Sequence, residues 1–509
     1  TANASLYFEK GGLNLRSVSV RFRRIEAVDV AKIEIDKNNK ITSLPASWGE
    51  ISQIGSSAFE SNQISSLPAS WGKITVISDR VFYRNKLTRL PDSWGNVTYI
   101  GEQAFSANQL ASLPASWGDV LQIKKGAFGY NKLVSLPDSW GKITTITDNA
   151  FIRNELVTLP SWGKISGIWN SAFAYNKLVS LPDSWGNVSV ISESAFEYNQ
   201  LSALPNSWGR ITRINKNVFL KNNLVRLPDD WGSVTFIDNG AFSHNELTSL
   251  PESWGKVTTI NEYAFGTNAI TELPDSWGEV ATLGSAAFKD NKITALTAPW
   301  GKITSLPYEV FKNNQIASLP DSFGSVTEIG AQAFFSNQLE ALRAWGSVTT
   351  IKYGAFTANK LKVLPSSWEN VTTIEKCAFN GKSVYTYRFD EGDKNVYRCS
   401  SSMNPQSNEN QIQALPASWG KVKTIGIEAF MGNAITGLPD SWGQVESIGA
   451  ESFKDNKIKQ LTAPWDTFSK IPTGAFINND IVTVPSSWGN ITEIGRNSFQ
   501  ANRIAALPP

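Results

Sequence analysis

The sequence predicts a solenoid. It would have about twenty coils of 23 residues, a parallel β-sheet along one face, short strands, turns or 3₁₀ segments on the other, and a β cap at its N-terminus. Three observations predict this. Trp48, Trp71, Trp94, Trp117 and Trp140 stand one period apart, as do Phe59, Phe82, Phe105, Phe128 and Phe151. Between them recurs Leu-Pro-x-Ser-Trp-Gly-x-(Ile/Val)-Thr-x-Ile-x-x-x-Ala-Phe-x-x-Asn-x-(Leu/Ile)-x-x, and a fixed period in this range is the signature of stacked repeats. Finally, 509 residues at 41% apolar and 18% charged content can bury a core, and a solenoid does so by adding coils instead of splitting into domains.

Residues 1–40 lack the repeat. Ser17-Val18-Ser19-Val20-Arg21-Phe22 alternates and reads as a strand, and Ala31 to Ile35 is a second candidate. A stack exposes its first apolar layer unless an atypical segment covers it, so this region is read as a cap, with Arg21, Arg23 and Arg24 on its solvated face. The chain begins at Thr1 without Met or a signal peptide, which suggests a removed leader or a fragment.

The copies run from 41 to 379 almost without gaps. Phe323 replaces Trp once, and two copies are one residue short, at Leu159-Pro160-Ser161-Trp162 and Leu342-Arg343-Ala344-Trp345. The large break is the 51-residue spacing between Trp368 and Trp419, which exceeds one period by 28. Within the insertion at 380–411, two β-rich runs (Ser383 to Phe389 and Val396 to Cys399) flank the Asp390-Glu391-Gly392-Asp393 turn and read as a hairpin. Cys377 and Cys399, the only cysteines, bracket it. Such a pair favours a disulfide and an oxidising location, two unrelated free thiols being the alternative. The repeats resume over 412–509 and stop at Leu507-Pro508-Pro509 without a cap, which suggests truncation or a last coil covered by another chain.

Each copy carries four apolar anchors: the Leu of Leu-Pro, the Trp, the paired Ile/Val and Ile, and the Phe. One coil cannot bury them alone, but stacked coils bury them in columns at a spacing of about 4.8 Å. The x-Leu-x-x-Leu-Pro segment is the expected parallel strand, ended by a Pro that lacks a donor. Gly after Trp supplies a turn. The Ser-x-x-Ala-Phe segment is expected to form a helical or 3₁₀ turn. The recurring Asn (Asn62, Asn85, Asn108) is expected to bond backbone groups as a ladder.

With these residues in place, Ile54-Gly55, Ala58-Phe59, Asn62 and Leu67-Pro68 resemble the BspA-like class of leucine-rich repeats, over about 430 of the 509 residues. The recurrent Trp-Gly is not typical of that class, and Asn stands where its repeats often carry Cys. The resemblance implies a curved leucine-rich-repeat solenoid. It also implies a secreted or cell-surface protein that binds proteins, host matrix or other cells.

The first candidate site is the insertion, with Tyr385, Tyr387, Arg388, Phe389, Tyr397 and Arg398, residue types that interface centres favour. A Thr column (Thr75, Thr98, Thr144, Thr212, Thr235, Thr258 and onward) reads as a solvated sheet face. An ordered surface such as ice or crystalline polysaccharide is a lesser reading, weakened by Leu121, Ala281, Lys423 and Glu446. Acidic residues after Leu-Pro (Asp92, Asp138, Asp183, Asp229, Glu252, Asp275, Asp321, Asp440) read as turn starters in preference to calcium ligands. Asn96, Asn187, Asn370 and Asn490 head glycosylation sequons, which carry weight only in a eukaryotic secretory host.

No enzyme is expected. The single His244 sits where other copies carry Ala, Tyr or Ser, and there is no zinc ligand cluster, P-loop or dinucleotide fingerprint. No cofactor is expected. The net charge of +2 gives no nucleic-acid footprint, and no apolar run is long enough to span a membrane. The expected partner is a protein or glycan on another cell or surface, bound by an adhesin-like molecule. The alternative is a surface-layer, filament or appendage subunit that associates with itself through its uncapped C-terminal coil.

Overall fold

A computed structural model describes residues 40–48, 51–183, 187–206, 208–382, 384–385, 400–401 and 409–507. The expected N-terminal cap, with its strands and its Arg21, Arg23 and Arg24, lies outside them.

The chain winds into stacked coils. Among the described residues, eighteen two-residue strands, from Val76–Ile77 to Glu493–Ile494, pair in parallel runs between neighbouring coils. The register keeps like residues together: Ile77 pairs Ile100, which pairs Ile123. A parallel ladder in constant phase is what lets each anchor sit on its copy in the next coil.

The strand is not where the Leu-Pro motif suggested. It lies in Thr-x-Ile, where one residue points out and the Ile points in, as at exposed Val76 and buried Ile77. The Leu-x-x-Leu spacing does not match that period of two. Its segment keeps a partial ladder, such as Gln63 N donating to Ile41 O at 2.9 Å, and isolated bridges such as Ala295 with Ser318.

The Ser-x-x-Ala-Phe segment is not a helical turn either. It is a chain of overlapping turns with left-handed residues two before and two after the Phe, such as Ser57 (φ 58°) and Ser61 (φ 57°). Alternating right- and left-handed residues aims alternate N–H groups at the next coil: Ser57, Phe59 and Ser61 donate to Asp79 O, Val81 O and Tyr83 O at 2.8–3.0 Å. Ala58 and Glu60 bond back within the turn. Each left-handed residue costs about 1–2 kcal/mol, offset by these inter-coil bonds.

Two aromatic columns fill the core. Phe59 stacks on Phe82 with centroids 5.7 Å apart and planes 6° apart, and Trp71 on Trp94 at 6.1 Å and 9°. Trp71, Trp94, Trp117 and Trp140 are fully buried. The Gly after Trp is left-handed from Gly209 onward (Gly209 φ 56°, Gly255 φ 54°), whereas Gly141 is right-handed (φ −64°) after a 3₁₀ turn over Asp138–Trp140. The indoles of Trp94, Trp117 and Trp162 donate to a Pro carbonyl of the preceding coil. Those of Trp71, Trp140, Trp208, Trp231 and Trp254 have no acceptor among the described residues, whichever hand the following Gly takes.

The Asn column does what its spacing suggested. Asn245 Oδ1 accepts from Leu224 N at 3.1 Å, and its Nδ2 donates to Phe219 O and Phe242 O at 2.9 and 3.0 Å. Its Nδ2 also reaches Ser243 O at 3.3 Å, so this one buried amide ties backbone groups of two coils together.

The stack continues across the large break. Thr373 and Ile374 pair with Thr424 and Ile425, and Phe379 stacks on Phe430 at 5.3 Å. Asn410 takes the ladder position, accepting from Leu361 N at 3.0 Å.

Candidate functional site

His244 is the natural first place to look for chemistry. Ser243 Oγ lies 2.8 Å from its Nδ1 and 3.0 Å from Gly266 O. The serine is buried in the corner ladder, with its oxygen between the ring and a backbone carbonyl. Burial, with the Lys221 charge, holds the His244 ring below its ordinary pKa, while Asp290 acts in the opposite sense. Among the described residues no group of three or more His, Cys, Asp or Glu is placed to hold a metal ion. Among the described residues, Leu181, Leu204, Trp208 and Ile211 line a cavity of about 210 Å³. It falls short of the usual 300–1,000 Å³ of a small-molecule site.

The Thr column edges the sheet, and its hydroxyls are engaged. Thr258 Oγ1 donates to Thr235 O at 3.1 Å and Thr372 Oγ1 to Thr349 O at 3.1 Å, and the hydroxyls of Thr98, Thr235, Thr327 and Thr349 bond the coil before them in the same way. The acidic position works in the corner turn, where Asp138 opens a 3₁₀ turn and the adjacent serines bond across coils, as Ser116 Oγ does to Asp92 O at 2.6 Å.

The insertion leaves the stack at one corner, after Gly381 and before Asn410. Gly381 occupies the position two after the column Phe, and its N–H donates to Met431 O at 2.7 Å. Lys382, the next residue, forms an ion pair with Asp455 of a later coil. Val384–Tyr385 pairs antiparallel with Ser400–Ser401, Tyr385 opposite Ser400. Tyr387, Arg388, Phe389, Tyr397, Arg398 and Cys399 lie outside the described residues, and of Tyr385 only the backbone is described. Cys377 is buried at the foot of the insertion, beside Phe335 and Tyr353.

The same corner carries a row the sequence reading missed. Over six successive coils the position two after the Phe holds Tyr130, Arg153, Tyr175, Tyr198, Lys221 and His244, all left-handed with φ between 53° and 59°. The Tyr175 and Tyr198 rings stack at 4.5 Å and 11°. Arg153 lies over Tyr175 at 4.4 Å and reaches Tyr130 at 5.8 Å, and Lys221 lies over Tyr198 at 4.6 Å. Burial in this stack, with Glu197 beside it, raises the Tyr175 hydroxyl above its ordinary pKa. Reading down this one repeat position, instead of along the consensus, would have found the row.

The family model for the BspA-type leucine-rich repeat region matches six times, over residues 36–135, 117–226, 190–318, 235–362, 281–404 and 407–507. A comparison with curated proteins finds no match. Among solved structures, the chain is similar to YopM from Yersinia enterocolitica WA-314 at 19% identity, over 92% of this chain and 85% of that one, with a TM-score of 0.42. It is also similar to a leucine-rich repeat protein from Bacteroides ovatus ATCC 8483 at 15% identity, over 83% and 87%, with a TM-score of 0.40. At these values the likeness concerns the repeat fold alone. No helix among the described residues is long and apolar enough to cross a membrane.

Proposed function

This chain belongs to the BspA-type leucine-rich repeat family, and on that premise we propose that it is a non-enzymatic, adhesin-like binding protein of the cell exterior. It engages a protein or glycan of another cell or surface through one solenoid edge and the insertion at 380–411. The observation that carries this is the rooting of the insertion. A 28-residue excursion leaves the corner after Gly381 while the strands, the Phe column and the Asn ladder pass beneath it in register. A long non-repeat segment on an undisturbed scaffold is where binding residues concentrate. Tyr385, Tyr387, Arg388, Phe389, Tyr397 and Arg398 are its proposed contact residues.

The test is deletion of residues 383–398, assayed by adhesion of the purified chain to cells and by light scattering. The expected result is a monomer that keeps its melting temperature and loses adhesion. Adhesion equal to that of the intact chain would overturn the role of the insertion. Concentration-dependent assembly would favour the structural-subunit reading.

A Cys377–Cys399 disulfide belongs to the same proposal. Tyr385 and Ser400 pair across the insertion, and among the described residues no cysteine is free. Thiol titration of the unfolded, unreduced chain should find no free thiol, and two free thiols would refute the bridge and the oxidising location argued from it.

A further inference from the structure

The row from Tyr130 to His244 is not required by the fold. Its left-handed backbone suits Gly, Asn and Asp, and large side chains adopt it rarely. Elsewhere the position holds mostly small or short polar side chains with the same backbone, such as Ser61, Ala107, Thr267, Asp290, Asn313 and Ser336, with Arg84 the exception. Three residues after the ladder Asn, four of the row's six coils carry Val134, Val157, Val179 and Val225, while the Tyr198 and His244 coils carry Ser202 and Thr248. Those valines are 50%, 41%, 39% and 43% exposed. Their backbones join in one ladder, Val157 N donating to Val134 O at 3.2 Å and Val179 N to Val157 O at 3.1 Å. The aromatic-cationic row and the exposed valines thus recur four residues apart along these coils, with Lys132, Glu155 and Lys177 at the outward position between them and Ser202 interrupting the valines.

The chemistry of the row selects its occupant. The faces of Tyr175 and Tyr198 are covered by each other, by Arg153 and by Lys221, so they give no open platform on which a sugar ring could stack. What faces outward is phenol edges, a guanidinium, an ammonium and valine methyls. Neither Arg153 nor Lys221 is in an ion pair among the described residues, whereas Glu155 and Glu193 nearby are taken by Lys177 and Lys216. Arg153 and Lys221, although the Glu197 charge acts on Lys221, with Val157 and Val225 four residues further along their coils, fit carboxylates interspersed with aliphatic side chains. We propose that the edge from Tyr130 to Lys221, with Val134, Val157, Val179 and Val225, is a docking surface for an acidic, aliphatic polypeptide segment. This rests on the binding-protein reading and supplies a second contact area, separate from the insertion.

The probe is a displayed library of random 12-residue peptides panned on the full chain, with fluorescent heparin titrated in parallel. The variants are Arg153→Gln with Lys221→Gln, and separately Val157→Thr with Val179→Thr, each checked for an unchanged melt. The expected result is enrichment of net-acidic peptides with aliphatic residues, bound about tenfold or more weakly by each double variant, and more weakly still in high salt. Enriched peptides without acidic bias, peptides bound equally by both variants, or no enrichment would overturn the proposal. Heparin binding lost in the cationic variant, with no peptide binding, would also overturn it and make the partner an anionic polysaccharide. Loss of adhesion on deleting 383–398 would still support the broader reading in each of those cases, so the two can fail independently.

Discussion

Trp254→Ala is the sharpest test of the column. Trp254 is 1% exposed and stacks on Trp231 at 6.0 Å and 18° and on Trp277 at 6.0 Å and 2°. Phe265 and Phe288 pack on it at 5.9 and 6.1 Å. Truncating a buried Trp costs about 3–5 kcal/mol, and two stacked partners place this site in the upper part of that range. The indole N–H has no acceptor, so no hydrogen bond is lost with it. About 4 kcal/mol is the expected cost. The molecule already contains the milder change: Phe323 sits in the same column, 6.1 Å and 5° from Trp300 and 5.9 Å and 9° from Trp345. Trp254→Phe should therefore cost only about 1 kcal/mol. A stack of coils need not unfold as one unit, so a local measurement is preferable to a global melt. Hydrogen exchange at the Val257 amide, which donates to Trp254 O at 3.0 Å, reports this coil. It should quicken roughly a thousandfold in Trp254→Ala and about fivefold in Trp254→Phe. Unchanged protection in the alanine variant, or equal damage from both, would show that the rings do not form a dry stack.

Three further outcomes are expected. Trp94→Phe should cost about 1 kcal/mol more than Trp254→Phe in the same exchange assay, because Trp94 Nε1 donates to Pro68 O at 3.1 Å. Asn245→Ala should cost about 2–4 kcal/mol by urea unfolding, since it leaves Leu224 N–H and Phe219 O buried without this partner, and a cost under about 0.5 kcal/mol would mean the ladder is incidental. Glu309 is buried, which pushes its carboxyl up, but its bonds to Lys289 and Lys312 at 2.6 and 2.5 Å outweigh this and hold it below the ordinary glutamate value. A lowered folded-state pKa gives stability that is present above the unfolded value and lost as pH falls through the folded one. Glu309→Gln should therefore be less stable than the parent at pH 7, with the gap closing below about pH 4; a gap independent of pH would refute the charge argument.

The columns were legible because they are periodic. Trp94 and Phe105 repeat at one spacing, and only stacking buries them; the Asn108 ladder followed from the same spacing and from the bonds an amide can make. The strand was misplaced because both Leu-x-x-Leu and Thr-x-Ile are apolar at their ends, and nothing in the sequence says which lies flat enough to pair. The overlapping turns around Phe59 were missed because Ser57 and Ser61 are not residues that announce a left-handed backbone. That conformation is imposed by bonds to the next coil. The row from Tyr130 to Lys221 escaped because its members are 22 or 23 residues apart and no consensus joins Tyr to Arg.

The sequence by itself determined the period, the dry aromatic columns and the amide ladder, since each follows from what one residue type must do with water and with backbone donors. Only the tertiary structure decided which segment pairs, which corner the insertion leaves from, and which distant side chains meet there. Those depend on the phase of one coil upon the next, set by hydrogen bonds between coils that no single copy contains.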